Sequence, residues 1–297
     1  MAQAEHSALA VAAGLLACPE CVRAHQDAPA LALEPRARAL RCARGHSFDV
    51  ARQGYVSLLT GASTKMTGDT AAMLDARAAF QTGGHFAPIA DAVTRAVTAR
   101  RTDGTVLEIG AGTGYYLAQV LDAAPPAVGI ALDVAKPAVR RCARAHPRAA
   151  AVLADAWLGL PIRDGSLDSV LSVFAPRNPG EVARVLAADG RFVVATPTER
   201  HLGELVGPLD MVRVDPDKNR RLDAAMTGYF EPVDQTLVEY PMKLPRADVA
   251  NVVGMGPSAH HVVSDDARLV RLPESIEVTA SVVVGTYRPA AEPLARR

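Results

Sequence analysis

The sequence predicts an α/β fold: a mostly parallel β-sheet with helices on both faces, preceded by a small cysteine-containing module. Three observations predict it. From residue 104 onward, short β-branched runs alternate with segments of helical length, which is how a parallel sheet with crossover helices reads. The first of these runs, Val106-Leu107-Glu108-Ile109, ends in the glycine-spaced turn Gly110-Ala111-Gly112-Thr113-Gly114 and a helix start. Near the N-terminus, the C-x2-C pair Cys18 and Cys21 is followed by the C-x3-H pair Cys42 and His46.

The chain has 297 residues, enough for one large domain or a domain plus a module. Hydrophobic residues make up 49%, and no apolar run approaches the roughly 20 residues needed to span a bilayer. Met1 to Leu16 is Ala/Leu-rich but contains Glu5 and His6 and lacks a basic start, so it reads as a short extension or helix rather than a signal peptide. Four unevenly spaced cysteines do not form a disulfide framework, which points to a reduced, cytoplasmic setting. The formal net charge of zero argues against a generic nucleic-acid binder but allows a local basic patch. Only Lys65, Lys136, Lys218 and Lys243 are lysines among 32 basic residues. A GC-rich genome accounts for that bias, although arginine's planar donors also suit phosphates.

Residues 1–60 form the first unit. Three thiolates and an imidazole, supplied two from each of two tight turns, suit tetrahedral zinc. The segment between the turns has little core of its own, so a structural metal would stabilise it. His25 competes with His46 as fourth ligand, while Cys142 falls on a predicted helix as a buried structural cysteine. Arg36, Arg38, Arg41, Arg44 and Arg52 gather here against Glu34 and Asp49, as either a solvated face or a phosphate-contacting patch. Phe48 to Leu59 is strand-like, and Gly61 to Gly68 is a polar linker. Asp69 or Thr70 can cap a helix to about Gln81, which Gly83-Gly84 ends. Pro88 opens the next helix, reaching about Arg101. Residues 61–103 are thus a linker with helices, and 104–297 the sheet domain. Its strands read at 105–109, 127–133, 150–154, 167–174 and 190–196, and its helices at 114–123, 135–146, 178–187 and 198–208. A polar stretch follows to Tyr229, then strands at 234–240 and 275–287 around a helix near 246–254. The tail from Pro289 to Arg297 reads as frayed.

The glycine loop places backbone N–H groups and a helix N-terminus where a polar ligand can sit. A dinucleotide fingerprint would have its third glycine at the position of Tyr115. The Gly-x-Gly-x-Gly spacing, with Glu108 two residues ahead, instead resembles motif I of the class I S-adenosylmethionine-dependent methyltransferases, whose Rossmann-like sheet matches the predicted pattern. Asp133, about 20 residues on at the tip of the second strand, is placed to accept from a ribose diol, or to cap the next helix. Asp155, after the third strand and near the sole tryptophan, Trp157, is placed toward the adenine end, or caps a turn. Phe174-Ala175-Pro176-Arg177-Asn178 occupies the motif IV position but lacks the Asn/Asp-Pro-Pro-aromatic pattern of many amino-methylating enzymes. His201, after the fifth strand, reads bottom-up as structural or as a ligand contact.

Taken together, the chain resembles the guanine-N1 methyltransferases of large-subunit ribosomal RNA. The resemblance is carried by Cys18-Pro19-x-Cys21, Cys42-x3-His46-Ser47-Phe48-Asp49, Gly54-Tyr55-Val56-x-Leu58-Leu59, Gly68-Asp69, Ala76-Arg77-x2-Phe80, Gly83-Gly84-His85-Phe86, Leu107-Glu108-Ile109-Gly110, Leu132-Asp133-Val134-x-Lys136, Phe174-Ala175-Pro176 and Ala195-Thr196-Pro197-x3-His201. It implies zinc ligands at Cys18, Cys21, Cys42 and His46. It implies S-adenosylmethionine contacts at Phe86, at the motif I loop with Tyr116 and Leu117, and at His201. The family acts on a 23S rRNA hairpin loop lining the peptide exit tunnel and has branches aimed at guanines 745 and 748; Met255-Gly256-Pro257-Ser258-Ala259-His260 looks more like the second. Members in macrolide producers protect their own ribosomes. Asp155, Asp69 and His201 are the candidates for a proton acceptor. A small-molecule methyltransferase and a non-catalytic zinc RNA-binding protein are the alternatives, and monomer and homodimer both remain open.

Overall fold

The computed structural model describes residues 7–24, 30–59, 64, 66–215, 217–256 and 267–291. The frayed tail, Gly61 to Ser63, Lys65, His25 and Pro257 to His260 lie wholly or mostly outside the described residues.

Ser7 caps α1 (Ala8–Ala12), its hydroxyl accepting from the Ala10 N–H, and a 3-10 turn at Ala13–Leu15 follows. Pro19 opens α2 (Pro19–Ala24) directly after Cys18. Then β1 (Leu33–Arg36), β2 (Ala39–Cys42) and β3 (Ser47–Asp49) form a three-stranded antiparallel sheet. The strand-like run from Phe48 to Leu59 turns out to be two strands in two sheets: after a turn at 51–54, β4 (Tyr55–Ser57) leaves the small sheet and pairs in parallel with a strand of the large one.

Thr70 caps α3 (Ala71–Thr82), its hydroxyl accepting from the Met73 N–H at 3.2 Å. Pro88 sits in the first turn of α4 (Ala87–Thr98), which ends three residues earlier than the sequence suggests. The alternating part comprises β5 (Thr105–Ile109), α5 (Tyr115–Ala123), β6 (Val128–Asp133), α6 (Lys136–Ala145), β7 (Ala149–Leu153), β8 (Leu167–Val173), α7 (Pro179–Val185) and β9 (Leu186–Pro197). The helix expected from 198 begins later, as α8 (Gly203–Leu209). Residues 198–202 turn instead, with Leu202 left-handed at φ 57°. His201 therefore lies on a turn, not on a helix. The polar stretch before Tyr229 contains α9 (Lys218–Met226). The last strands are longer than their apolar cores: β10 (Phe230–Pro245), α10 (Arg246–Gly254), α11 (Ala267–Val270) and β11 (Ser275–Pro289) close the chain.

The eight-stranded sheet runs β10-β11-β9-β8-β5-β6-β7-β4. It is parallel from β9 to β4, and β11 and β10 are added antiparallel at the other edge. Strand residues alternate between two cores, as the two-residue period of a strand requires. Val106, Ala131, Ala151, Leu171 and Val193 face one core, shared with α4, α5, α8 and α10; Leu107, Ile130, Val152, Val170 and Val194 face the other. That second core also contains Leu9, Leu16, Leu33, Leu40 and the three N-terminal cysteines. The cysteine module is thus built into the underside of the main sheet. The carboxyl ends of the parallel strands, where ligands sit in open α/β sheets, converge on the loops after β5, β6, β7, β8 and β9.

Candidate active site and zinc centre

In the glycine loop, Gly110 and Gly112 are left-handed, at φ 68° and 56°. A Cβ on Gly110 would stand 2.7 Å from the Ala175 Cβ, and one on Gly112 would stand 2.8 Å from the Arg77 guanidinium. The backbone angle requires glycine at both positions, and at Gly110 the space beside Ala175 requires it as well. Gly114, also left-handed, starts α5 without any side-chain cap, so the first N–H groups of this helix are turned toward the loop.

Two buried acids hold the loop from below. Glu108, on β5, accepts the Leu117 N–H at 3.1 Å. Asp133, ending β6, accepts the Gly112 N–H at 2.9 Å through one oxygen and the Ala135 N–H at 2.8 Å through the other. The ribose-facing and helix-capping readings of Asp133 are thus compatible, since each carboxylate oxygen keeps a second lone pair. Burial pushes the Glu108 carboxyl up to about 8, and the neighbouring Asp133 adds to the rise. Burial likewise raises Asp133. Tyr116, the second residue of α5, is buried, and its hydroxyl has no hydrogen-bond partner. An orphaned buried donor beside a glycine cradle fits a bound ligand. Leu117 is in the core, packed where a Cβ on Gly129 would fall, and its N–H is the one Glu108 takes.

A cleft runs from this loop past Asp133, Val134, Asp155 and Trp157 to Arg177. Asp155 accepts the Trp157 N–H at 2.9 Å and the Thr64 hydroxyl at 2.5 Å, so the linker is tied to the far end of the cleft. Asp69 is ion-paired with Arg77 at 2.5 Å, and Arg77 also donates to the Met255 carbonyl at 2.8 Å. Arg77 thereby joins α3, the glycine loop and the end of α10. Its role is not legible in the sequence, because Met255 and Arg77 are 178 residues apart.

Phe86 stands at the N-terminus of α4, buried, edge-on to Phe80 with ring centroids at 4.9 Å. His201 lies 6.0 Å from the Phe86 ring and is stacked on Phe174 at 5.8 Å. The His201 Nδ1 accepts the Ser281 N–H at 3.2 Å, which fixes the neutral ring with its proton on Nε2. His201 also borders a cavity of about 350 Å³ lined by Glu199, Arg213 and Asp215. Phe86, Phe174, Tyr116 and His201, scattered over 116 residues of sequence, meet in one aromatic cluster.

The metal-type ligands converge as the sequence spacing suggests. Cys18, Cys21, Cys42 and His46 place their donor atoms within 4.8 Å of one another. The Cys21 and Cys42 sulfurs are 3.8 Å apart, and the three sulfurs lie 3.4 to 3.5 Å from the His46 Nδ1. A tetrahedron with zinc bonds of about 2.0–2.3 Å has edges of about 3.3–3.8 Å. The cluster therefore has the dimensions of a tetrahedral zinc site, and among the described residues, which do not include His25, His46 closes it. Burial drives the Cys18 thiol up to about 12. Burial also opposes ionisation at Cys42, but the N–H groups of His46 and Arg44 outweigh it and bring that thiol down to about 7. Three thiols packed together favour sharing one cation over three thiolates.

Comparison with known proteins fits this geometry. A zinc-ribbon family model described as "RlmA, N-terminal" matches residues 16–63, and a model described as "Methyltransferase domain" matches residues 106–190. A Micromonospora griseorubida protein named as a 23S rRNA (guanine-N(1)-)-methyltransferase is 47% identical over 293 residues, covering 92% of this chain and 97% of its own. The 23S rRNA (guanine(748)-N(1))-methyltransferase of Streptomyces fradiae is 45% identical, covering 92% of this chain and 96% of its own. A solved methyltransferase structure from Bacillus halodurans superposes with a TM-score of 0.47 at 14% identity, over 69% of this chain and 99% of that one. The two long relatives span the zinc module and the sheet alike: the chain belongs to the 23S rRNA (guanine-N1) methyltransferase family.

Proposed function

We propose that the protein transfers a methyl group from S-adenosylmethionine to N1 of guanine 748 in a hairpin loop of 23S rRNA. The observation that carries this reading is 45% identity to the guanine-748 enzyme of Streptomyces fradiae over 92% of the chain, zinc module included. Bound S-adenosylmethionine supplies a methyl group already activated by its sulfonium. Glu108, the three loop glycines and Asp133 would hold the cofactor, with Tyr116, Phe86, Asp155 and His201 along its length and Leu117 behind the loop. Cys18, Cys21, Cys42 and His46 would hold a structural zinc ion, and the arginines of residues 1–60 would meet phosphates of the RNA. Residues 61–103 would connect this module to the methyltransferase domain of 104–297.

Guanine N1 carries a proton at neutral pH and sits on the Watson–Crick edge. The base must therefore be unpaired, which a loop nucleotide allows at low cost. The protein's work is then mainly alignment. Of the three candidate proton acceptors, Asp69 is held by Arg77 and Asp155 by Thr64 and Trp157. His201 has its Nδ1 lone pair turned to Ser281. These engagements favour orienting roles for all three. No helix among the described residues is long and apolar enough to cross a membrane, and a ribosomal substrate supports a cytoplasmic location. A methyl group in the exit tunnel would also support macrolide resistance.

The test is to incubate the zinc-loaded protein with labelled S-adenosylmethionine and a 23S rRNA transcript, then map the product by mass spectrometry. N1-methylguanine at position 748 is expected; its absence from that hairpin refutes the reading. Macrolide resistance is tested separately, by the inhibitory concentration of a macrolide for a sensitive host expressing the protein.

A further inference from the structure

Phe174 has a conformation that its surroundings do not reward. It is left-handed, with φ 55°, immediately after β8. For a non-glycine residue that region costs about 1–2 kcal/mol, and for a bulky one it is uncommon. The loop is pinned there: the Phe174 N–H donates to the Ala195 carbonyl at 3.1 Å, the buried Ser172 hydroxyl donates to the Ala175 carbonyl at 3.2 Å, and Ala175 abuts Gly110. Strain of this kind is ordinarily offset by burial, yet Phe174 remains 37% exposed. Pro176, Arg177 and Asn178, which follow it in the same loop, line the cleft. His201 stacks against the Phe174 ring at 5.8 Å and 23°, while Phe86 and Tyr116 approach at 5.9 and 6.5 Å with tilted or edge-on rings. Ser281 fixes the His201 ring in turn. The result is a supported aromatic shelf with part of its surface open, beside the glycine loop.

We propose that this open surface of Phe174 is where the target guanine stacks during methyl transfer, an assignment that rests on the guanine-N1 reading above. Extruding a base costs a few kcal/mol, and stacking on an aromatic side chain returns about 1–3 kcal/mol per base. Stacking fixes the plane of the base and leaves its Watson–Crick edge free. That is what attack by the in-plane N1 lone pair needs: the N1 proton leaves to solvent, the N1–C bond forms, and the S–C bond of the sulfonium breaks to release S-adenosylhomocysteine.

The experiment compares full-length, zinc-loaded wild type with Phe174→Gly, Phe174→Leu and Phe174→Tyr. Each is measured for melting, S-adenosylmethionine binding by calorimetry, methylation of the hairpin transcript, and quenching of a 2-aminopurine placed at the target position. Phe174→Gly is expected to melt no lower than wild type, since glycine relieves the strained φ, and to bind cofactor within about twofold. Its kcat/KM for RNA should fall at least about tenfold, with the quenching lost, in line with the stacking energy. Phe174→Tyr should keep both within about threefold. If Phe174→Gly or Phe174→Leu matches wild type in kcat/KM and quenching, the inference is overturned. Loss of cofactor binding or of the fold along with activity overturns it too, by placing Phe174 in the cofactor site or the core. If wild type itself yields no N1-methylguanine on the transcript, the proposed function falls and takes this inference with it; a failure confined to the variants leaves that function standing.

Discussion

Replacing Glu108 by glutamine tests the electrostatics of the glycine loop directly. In the folded protein the Glu108 carboxyl is pushed up to about 8 by burial, against an ordinary 4.5. The sign follows from proton linkage. Between those two values the folded state binds a proton that the unfolded state has released, so stability is fully present below about 4.5 and is lost as pH rises through about 8. Each pH unit in that window costs about 1.4 kcal/mol, so the full span is worth roughly 5 kcal/mol. Glu108→Gln keeps an oxygen for the Leu117 N–H and cannot ionise. Near pH 5 the variant should match wild type within about 1 kcal/mol, the scale of one altered hydrogen bond. As pH rises to 8 the variant should become progressively the more stable, by several kcal/mol. The assay is urea denaturation of both proteins at pH 5 to 8.5, comparing the difference between them rather than either curve. Groups common to both then cancel, apart from the coupling of Glu108 to Asp133. A difference that stays flat across the range would falsify the argument that Glu108 is buried as a neutral acid.

Other consequences can be checked singly. Gly110→Val should abolish cofactor binding in calorimetry while zinc content stays at that of wild type, because the new side chain meets Ala175 and the backbone is left-handed. Asp133→Asn should lower cofactor affinity at least about tenfold, since an amide nitrogen then faces the Gly112 or Ala135 N–H; unchanged affinity by calorimetry would remove Asp133 from the site. Cys42→Ala should lose zinc by atomic absorption and weaken RNA binding in gel shifts, with cofactor affinity changed less. Full zinc occupancy in that variant would show that Cys42 is not a ligand.

Much of this fold can be read along the chain because its signals are local. The glycine loop, the acid at the tip of β6 and the spacing of the cysteine pairs each follow from a few consecutive residues, and their elements lie within a residue or two of expectation. Long-range pairing is what escapes such a reading. Three residues, Tyr55 to Ser57, carry no signal that they join β7 across nearly a hundred residues. The strand β10 shows only its middle, because Pro232, Pro241 and Pro245 interrupt it and most of its side chains are exposed. Helix α9 hides in a charged stretch and rests on the core through Leu222 and Met226, a pair too short to announce a helix. Within the site, Asp133 and the zinc ligands are visible from type and spacing. Arg77 and Phe174 are not, since the first acts through a distant carbonyl and the second through a backbone angle that no residue pattern announces.

The pairing of β4 with β7 sets an order on biosynthesis. The four metal-type ligands emerge from the ribosome within the first 46 residues, so the zinc knot can close early. Its surroundings cannot be completed then. The Ala17 N–H waits for the Pro161 carbonyl, the Leu58 N–H for that of Leu153, and Leu16 for its bridge to Ile162. A nascent chain released before residue 162 therefore exposes an unpaired strand edge and half a core. Such species are prone to aggregate. Cutting the finished protein near residue 60 leaves each piece with a share of that edge and of the core both parts need. Metal module and cofactor cleft are thus expected to melt in one cooperative transition, and to be inherited by descendants of this fold together rather than exchanged as separate parts.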